Sequence, residues 1–160
     1  MKPFFAAALF CVLPALLSAH EFKSGDITVG HPYAFETAPM AQTAAGYLTV
    51  TNTGETPDTL LAVEADFPKV MMHQSLEKDG IATMEHVETL EIAPGASVAF
   101  APGGYHVMFM GLNGAAFKAG EHVPATLVFE HAGRIDVEFN VEARTEDAPA
   151  SDAHSGHATH

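Results

Sequence analysis

Between Asp26 and Val141 the chain alternates apolar and polar residues in short runs. DITVGHPYAF, GYLTVTN, TLLAVEA, KVMMHQSL, IATMEHV, SVAFAP, YHVMFMGL, ATLVFE and RIDVEFNV each alternate, or stay apolar, for about one strand length. Turn formers separate them: Asn52-Thr53-Gly54, Asp79-Gly80, Pro94-Gly95, Pro102-Gly103-Gly104, Asn113-Gly114 and Gly133. The pattern contains neither a long amphipathic helix nor an internal repeat. Short strands at this spacing predict an all-β sandwich or barrel. After Val141 the character changes. TEDAPASDAHSGHATH has no large apolar residue and is rich in Ala, Ser, Asp and His. It cannot bury enough surface to order itself, so residues 144–160 are expected to form a disordered, His-containing tail.

The other end reads as a leader. MKPFFAAALFCVLPALLSAH places one early positive charge at Lys2, then an apolar run, then Ser18 and Ala19. This is the layout of a secretory signal peptide, and the run is short for a membrane span. Cleavage is expected after Ala19, which gives a signal peptide over 1–19 and a domain over 20–143. Leu17 at the −3 position is acceptable but not ideal. The rival readings are an uncleaved anchor and a lipoprotein. Cys11 lacks the preceding small residues of a lipidated cysteine. A periplasmic location, without stable membrane insertion after cleavage, is the expectation.

Composition narrows the chemistry. At 160 residues the chain is about one domain. Cys11 is its single cysteine, so the cleaved protein has none. Disulfides, thiolate zinc sites, iron–sulfur clusters, cysteine nucleophiles and the blue-copper site are thereby excluded. Removing Lys2 from seven basic residues leaves six against twenty acidic ones, a formal charge of −14. Such a surface repels nucleic acid and anionic lipid and attracts cations. No nucleophile–base motif stands out, so an enzyme is not expected.

Ten histidines and seven methionines are many for this length. Asp79-Gly80 between two alternating runs is a strong hairpin signal. With those two residues as the loop, Ser75 faces Met84 and His73 faces His86. His73 and Met84 then share a face as diagonal neighbours, within roughly 4.5–8 Å. A one-residue slip would separate them to opposite faces. On another strand His106 and Met108 are i and i+2, hence on one face. Should the two segments meet, the donors are two imidazoles and two thioethers. Thioether suits Cu(I), whereas carboxylate suits hard cations, so the neutral set favours Cu(I). The competing reading is plain packing, because a methionine on a strand is more often core than ligand.

These residues resemble a known family. His73, ten residues, Met84, twenty-one residues, then His106-x-Met108 is the spacing of the PCu(A)C periplasmic copper chaperones. PGGYHVMFMGL and DITVGHPYAF are also similar to that family, and the likeness spans about residues 22 to 142. The resemblance implies a cupredoxin-like β-sandwich with Greek-key connections that binds one Cu(I) through His73, Met84, His106 and Met108. It further implies delivery of copper towards the CuA-bearing subunit of cytochrome c oxidase, alongside a Sco-type protein. Met71, Met72, Met110 and His86 have no counterpart in the motif. Met71 and Met110 share the parity of the ligands. His31, His122 and His131 read as structural or surface residues.

His154, His157 and His160 recur every three residues in the tail. They are a second candidate, for Cu(II), since imidazole-rich sets suit that ion. His20 would offer an amine and an imidazole after cleavage. The rivals to a chaperone are a periplasmic copper storage or resistance protein and a metal-free β-sandwich interaction domain.

Overall fold

The computed structural model describes residues 21–78 and 80–144. The leader, His20, Asp79 of the expected turn and the tail histidines lie outside the described residues. Eleven strands make up the described chain. The first six are β1 (Glu21–Ser24), β2 (Ile27–Phe35), β3 (Thr43–Asn52), β4 (Asp58–Glu64), β5 (Lys69–Lys78) and β6 (Ile81–Val87). β7 (Leu90–Ile92), β8 (Ser97–Phe100), β9 (Tyr105–Met110), β10 (His122–Phe129) and β11 (Arg134–Glu142) complete it. The nine expected runs are all strands. β1 and β7 are additions, at four and three residues too short for their alternation to stand out. Among the described residues no helix is long and apolar enough to cross a membrane.

The strands form one mixed sheet in the order β6-β5-β9-β8-β3-β2-β11-β10-β4-β7, with β1 on β2. β3 also pairs with β9. Most pairings are antiparallel; β11 runs parallel to β2 and β8 touches β9 in parallel. The sheet closes over a core drawn from alternate positions: Ile27 and Val29, Leu48 and Val50, Val107 and Phe109, Leu127, Val137 and Phe139. The order accords with the cupredoxin-like all-β class.

Phe109 is the hub that fixes β9. Its ring lies 5.3 Å from Phe67, 5.6 Å from Phe117 and 5.4 Å from Phe139, centroid to centroid. Gly46 on the facing strand lets the rings in. A Cβ there would stand 2.8 Å from both Phe109 and Phe139, so only glycine fits without a shift. Burying Val107 and Phe109 has a direct consequence for their neighbours. With a side-chain period of two, His106, Met108 and Met110 must face the other way.

The β5–β6 pair behaves differently from the rest. Val70 and Met72 of β5 pack against the core. Beyond Ser75 the hairpin leaves the body, and Leu76, Ile81 and Met84 are exposed. β6 is an edge strand, paired only with β5.

Candidate metal centre

A turn sets up the first histidine. Gly104 N–H donates to the Ala101 carbonyl at 2.9 Å. Pro102 and Gly103 are the two central residues, and Gly103 has φ +80°. Proline supplies the fixed φ of the first central position and glycine the positive φ of the second, as a type II turn requires. The turn aims the Gly104 carbonyl at the start of β9. There it accepts from Ser75 N–H at 3.0 Å and from His106 Nδ1 at 3.1 Å. A carbonyl only accepts, so Nδ1 of His106 carries the proton. In the neutral ring Nε2 then presents a bare lone pair. His106 is almost fully buried, at 5% exposure.

β5 lies between β9 and β6 and brings the candidates together. His73 pairs directly with His106 on one side and with His86 on the other. The three imidazoles form a row across three strands. The His73 ring stands 5.8 Å from each neighbour, at interplanar angles of 80° to His106 and 90° to His86. Met108 is opposite Met71, one step along the face from His73. Met84 is opposite Ser75, one step the other way. Both thioethers therefore sit diagonally from His73, a displacement of roughly 7–8 Å between Cα atoms. Long flexible side chains span that gap.

The hairpin register is the one the sequence predicts, with Ser75 against Met84 and His73 against His86. Gly80 has φ +75°, as the expected turn demands. Met71 faces Met108 and lines the same surface. Met110 faces Lys69, a further step from His73. Met72 is buried in the core and takes no part. His31 and His122 are exposed strand residues, and the His131 backbone N–H donates to Asp58.

His86 also stands beside His73. Its Nδ1 lies 3.2 Å from the Met72 carbonyl and must donate to it. The register placed it beside His73, but an isolated imidazole on an edge strand reads as surface. Its tautomer and its ring spacing exist only in three dimensions.

The electrostatics of His73 are distinctive. Burial lowers its pKa below the usual histidine value, and nearby His106, His86 and Lys69 lower it further. The ring is held neutral, the form that donates to a metal. Its Nδ1 is buried and has no hydrogen-bond partner among the described residues. An unsatisfied buried nitrogen costs about 1–3 kcal/mol, which a coordinated cation would offset. Among the described residues no group of three or more His, Cys, Asp or Glu is gathered to hold a metal ion. A carboxylate cage for a hard cation is therefore not built here. What is built is a neutral surface of imidazoles flanked by thioethers, and its softness suits Cu(I). Met84 is 36% exposed, so the surface opens to solvent on the hairpin side.

Comparison with known proteins agrees with this fold. Residues 27–141 match the LpqE-like family model, described as "Putative lipoprotein LpqE-like". "Putative lipoprotein Lxx21020" of Leifsonia xyli subsp. xyli (strain CTCB07) is 33% identical over 87 residues, 53% of this chain and 52% of that protein. The chain thus spans about half the length of the curated relative it matches. The copper-bound PCuAC domain from PmoF2 is 30% identical, with a TM-score of 0.64 over 78% of this chain and 99% of that one. The apo PCuAC domain from PmoF1 is 27% identical, with a TM-score of 0.66 over 78% and 100%. CuI-DR1885 from Deinococcus radiodurans shares the fold, at 23% identity and a TM-score of 0.56 over 79% and 83%. The chain therefore belongs to the LpqE-like, PCuAC-type family of copper-chaperone domains.

Proposed function

We propose that this domain is an exported copper metallochaperone, and not an enzyme. It holds one Cu(I) through His73, Met84, His106 and Met108 and passes it on by ligand exchange. The observation that carries the reading is His73: a neutral ring with an unpartnered buried nitrogen, flanked by an imidazole and by two diagonal thioethers. Neutral donors leave the ion its single charge and release it more readily than thiolates. Met84, on the exposed edge strand, is the donor an incoming ligand meets first. The copper-bound PmoF2 domain, at 30% identity, supports copper as the cargo.

The acceptor in this reading is the CuA-bearing subunit of cytochrome c oxidase, with a Sco-type protein alongside. The acidic surface selects a basic docking patch on such a partner and disfavours nucleic acid. A leader over 1–19 directs the chain to the periplasm. The relatives' lipoprotein names also point to export, although Cys11 inside the apolar run is not where a lipidated cysteine would sit. The tail histidines His154, His157 and His160 capture Cu(II). A second reading, storage or resistance, draws on the same tail, which offers donors beyond one site.

Cu(I) titration against a chromophoric competitor, followed by mixing with an apo CuA domain, tests this. One tightly held Cu(I) that moves to the CuA domain supports the chaperone. Several coppers bound and none transferred overturns it in favour of storage. For the tail, Cu(II) uptake should fall when the chain is ended at Arg144; unchanged uptake removes the tail's role.

A further inference from the structure

β6 ends the sheet, and the edge it leaves open runs past Met84. The direction of each backbone group on that edge follows from its neighbours. In an antiparallel ladder, successive residues of a strand turn their N–H and C=O groups to opposite sides. On β5, Ser75 N–H donates to Gly104 O at 3.0 Å, towards β9. The Met72 carbonyl receives His86 Nδ1 at 3.2 Å, towards β6. The even-numbered residues of β5 therefore bond to β6, where they are paired with Ile81, Thr83, Glu85 and Val87. Ala82, Met84 and His86 are left with both backbone groups pointing away from the sheet. None of those groups has a partner among the described residues.

Edge strands are commonly blunted by proline, lysine, a bulge or extreme shortness. β6 uses none of these. It reads IATMEHV, seven residues in unbroken register with β5. Residues 81–86 are all exposed, Ile81 at 65%. β5 and β9, which carry the other candidate ligands, are paired on both sides.

We propose that β6 is the docking edge for the protein that receives the copper: an extended, basic segment of that protein adds to the sheet beside β6 and brings a sulfur donor opposite Met84. This rests on the chaperone reading and deepens it. The edge is continuous with the copper face, since Met84 shares the face of His73. A residue bonded to Met84 through the backbone stands about 5.5 Å away between Cα atoms, with its side chain on that same face. Charge selects the incoming strand. Glu85 lies on β6 and Glu77 is opposite Ala82, and neither carboxylate has an ion-pair partner among the described residues. At a formal charge of −13 a second copy of the chain is repelled, whereas lysine or arginine on a partner strand is attracted. Main-chain bonds then supply affinity, and alternate side chains supply selection. In the transfer step a sulfur lone pair of the partner enters the copper as the Met84 thioether leaves. The ion stays Cu(I) throughout, and Met84 leaves uncharged.

The full chain and an apo CuA domain are the probes. The amides of Ala82, Met84 and His86 exchange freely in the chain alone. With the domain in excess their hydrogen exchange should slow by about tenfold or more, while Thr83 and Glu85 are slow in both cases. Ala82→Pro removes one outward N–H, places a ring on the edge and leaves the bonds to β5 in place. It should slow copper transfer to the domain by about tenfold or more. Its Cu(I) affinity should stay within about twofold of the parent's. Glu85→Lys leaves the backbone alone and should slow transfer by about threefold, with a weaker dependence on salt. The proposal is overturned if Ala82→Pro keeps its Cu(I) affinity and transfers at the parental rate. It is also overturned if the three outward amides stay unprotected while transfer proceeds. Protection that grows with the chain's own concentration, without the domain, overturns it in favour of a second copy. If Ala82→Pro loses Cu(I) affinity the hairpin itself is damaged, and the amide pattern of the parent decides. Failure of the underlying reading looks different: the parent transfers nothing to the domain, which removes the acceptor and this proposal with it.

Discussion

Two regions of the molecule bury polar side chains, and they treat them in opposite ways. At one end, Asn52 and Asp58 hold the β3–β4 connection and the β10–β11 turn. Asn52 Nδ2 donates to Thr56 O at 2.8 Å and to Ile92 O at 3.0 Å, and its Oδ1 accepts from Gly54 N at 2.9 Å. Asp58 accepts from the backbone N–H groups of Thr59, His131 and Ala132 at 2.7, 2.9 and 2.8 Å. Every strong polar atom there is matched. On the β6-β5-β9 face, half-buried His73 stands beside two imidazoles, and its buried Nδ1 is matched to nothing among the described residues. A fully paired buried group belongs to the fold, since any change in it exposes broken bonds. A buried nitrogen left open points to something the chain itself does not supply.

The sharpest way to break this contrast is to remove one residue from each region and measure both stability and Cu(I) affinity. His73→Leu should cost at least about a thousandfold in Cu(I) affinity, roughly 4 kcal/mol. The copper-free protein should be no less stable, and up to about 1 kcal/mol more stable, because the open nitrogen is gone. Competition titration and urea unfolding check the two halves. If copper-free stability falls by several kcal/mol, His73 belongs to the fold after all.

Asp58→Ala is the mirror case. It strands three backbone N–H groups and should lower stability by about 2–4 kcal/mol. Below its melting transition the protein should bind Cu(I) as the parent does. A parallel loss of Cu(I) affinity would mean that the two regions are coupled.

A smaller effect tests the thioethers one at a time. Met84→Leu and Met108→Leu each keep volume and lose the sulfur. Each should weaken Cu(I) by about tenfold, or 1.4 kcal/mol, with stability changed by less than about 0.5 kcal/mol at these outward positions. Met110→Leu should change neither, because Met110 pairs with Lys69 and not with His73. A Met110 effect as large as that of Met108 would redraw the donor set.

Much of the binding face could be read from the chain, and little of the satisfied end could. The β5–β6 register follows from local rules, since a turn needing positive φ at Gly80 and two alternating runs leave few alternatives. The outward turn of Met108 follows from the parity of Phe109. Pairing of β5 with β9 does not follow from such rules. The partners are more than thirty residues apart, and nothing local specifies which strands meet; the resemblance in ligand spacing supplied that. Asp58 was invisible, being one of twenty acidic residues with no motif around it. Its role appears only when the β10–β11 turn folds over it.

The smallest expected effect separates the two regions by pH. His73 has a lowered pKa, chiefly through burial, so between that value and the ordinary 6.5 the unfolded chain binds more protons than the folded one. Stability should therefore rise with pH across that window and level off above it. Asp58 acts in a lower window. Burial pushes its pKa up, but the N–H groups of His131, Ala132 and Thr59 outweigh this and bring it below 3.8. Its contribution is complete above 3.8 and is lost as pH falls through its lowered value. The two limbs should be removable separately, the milder one by His73→Leu and the more acidic one by Asp58→Asn. Cu(I) should move only the first, since the bound ion competes with protons for His73 and leaves Asp58 untouched. Urea unfolding from pH 3 to 8, with and without Cu(I), measures both. A copper-dependent shift in the acidic limb would show that the open nitrogen and the closed carboxylate are not the independent devices their geometry makes them.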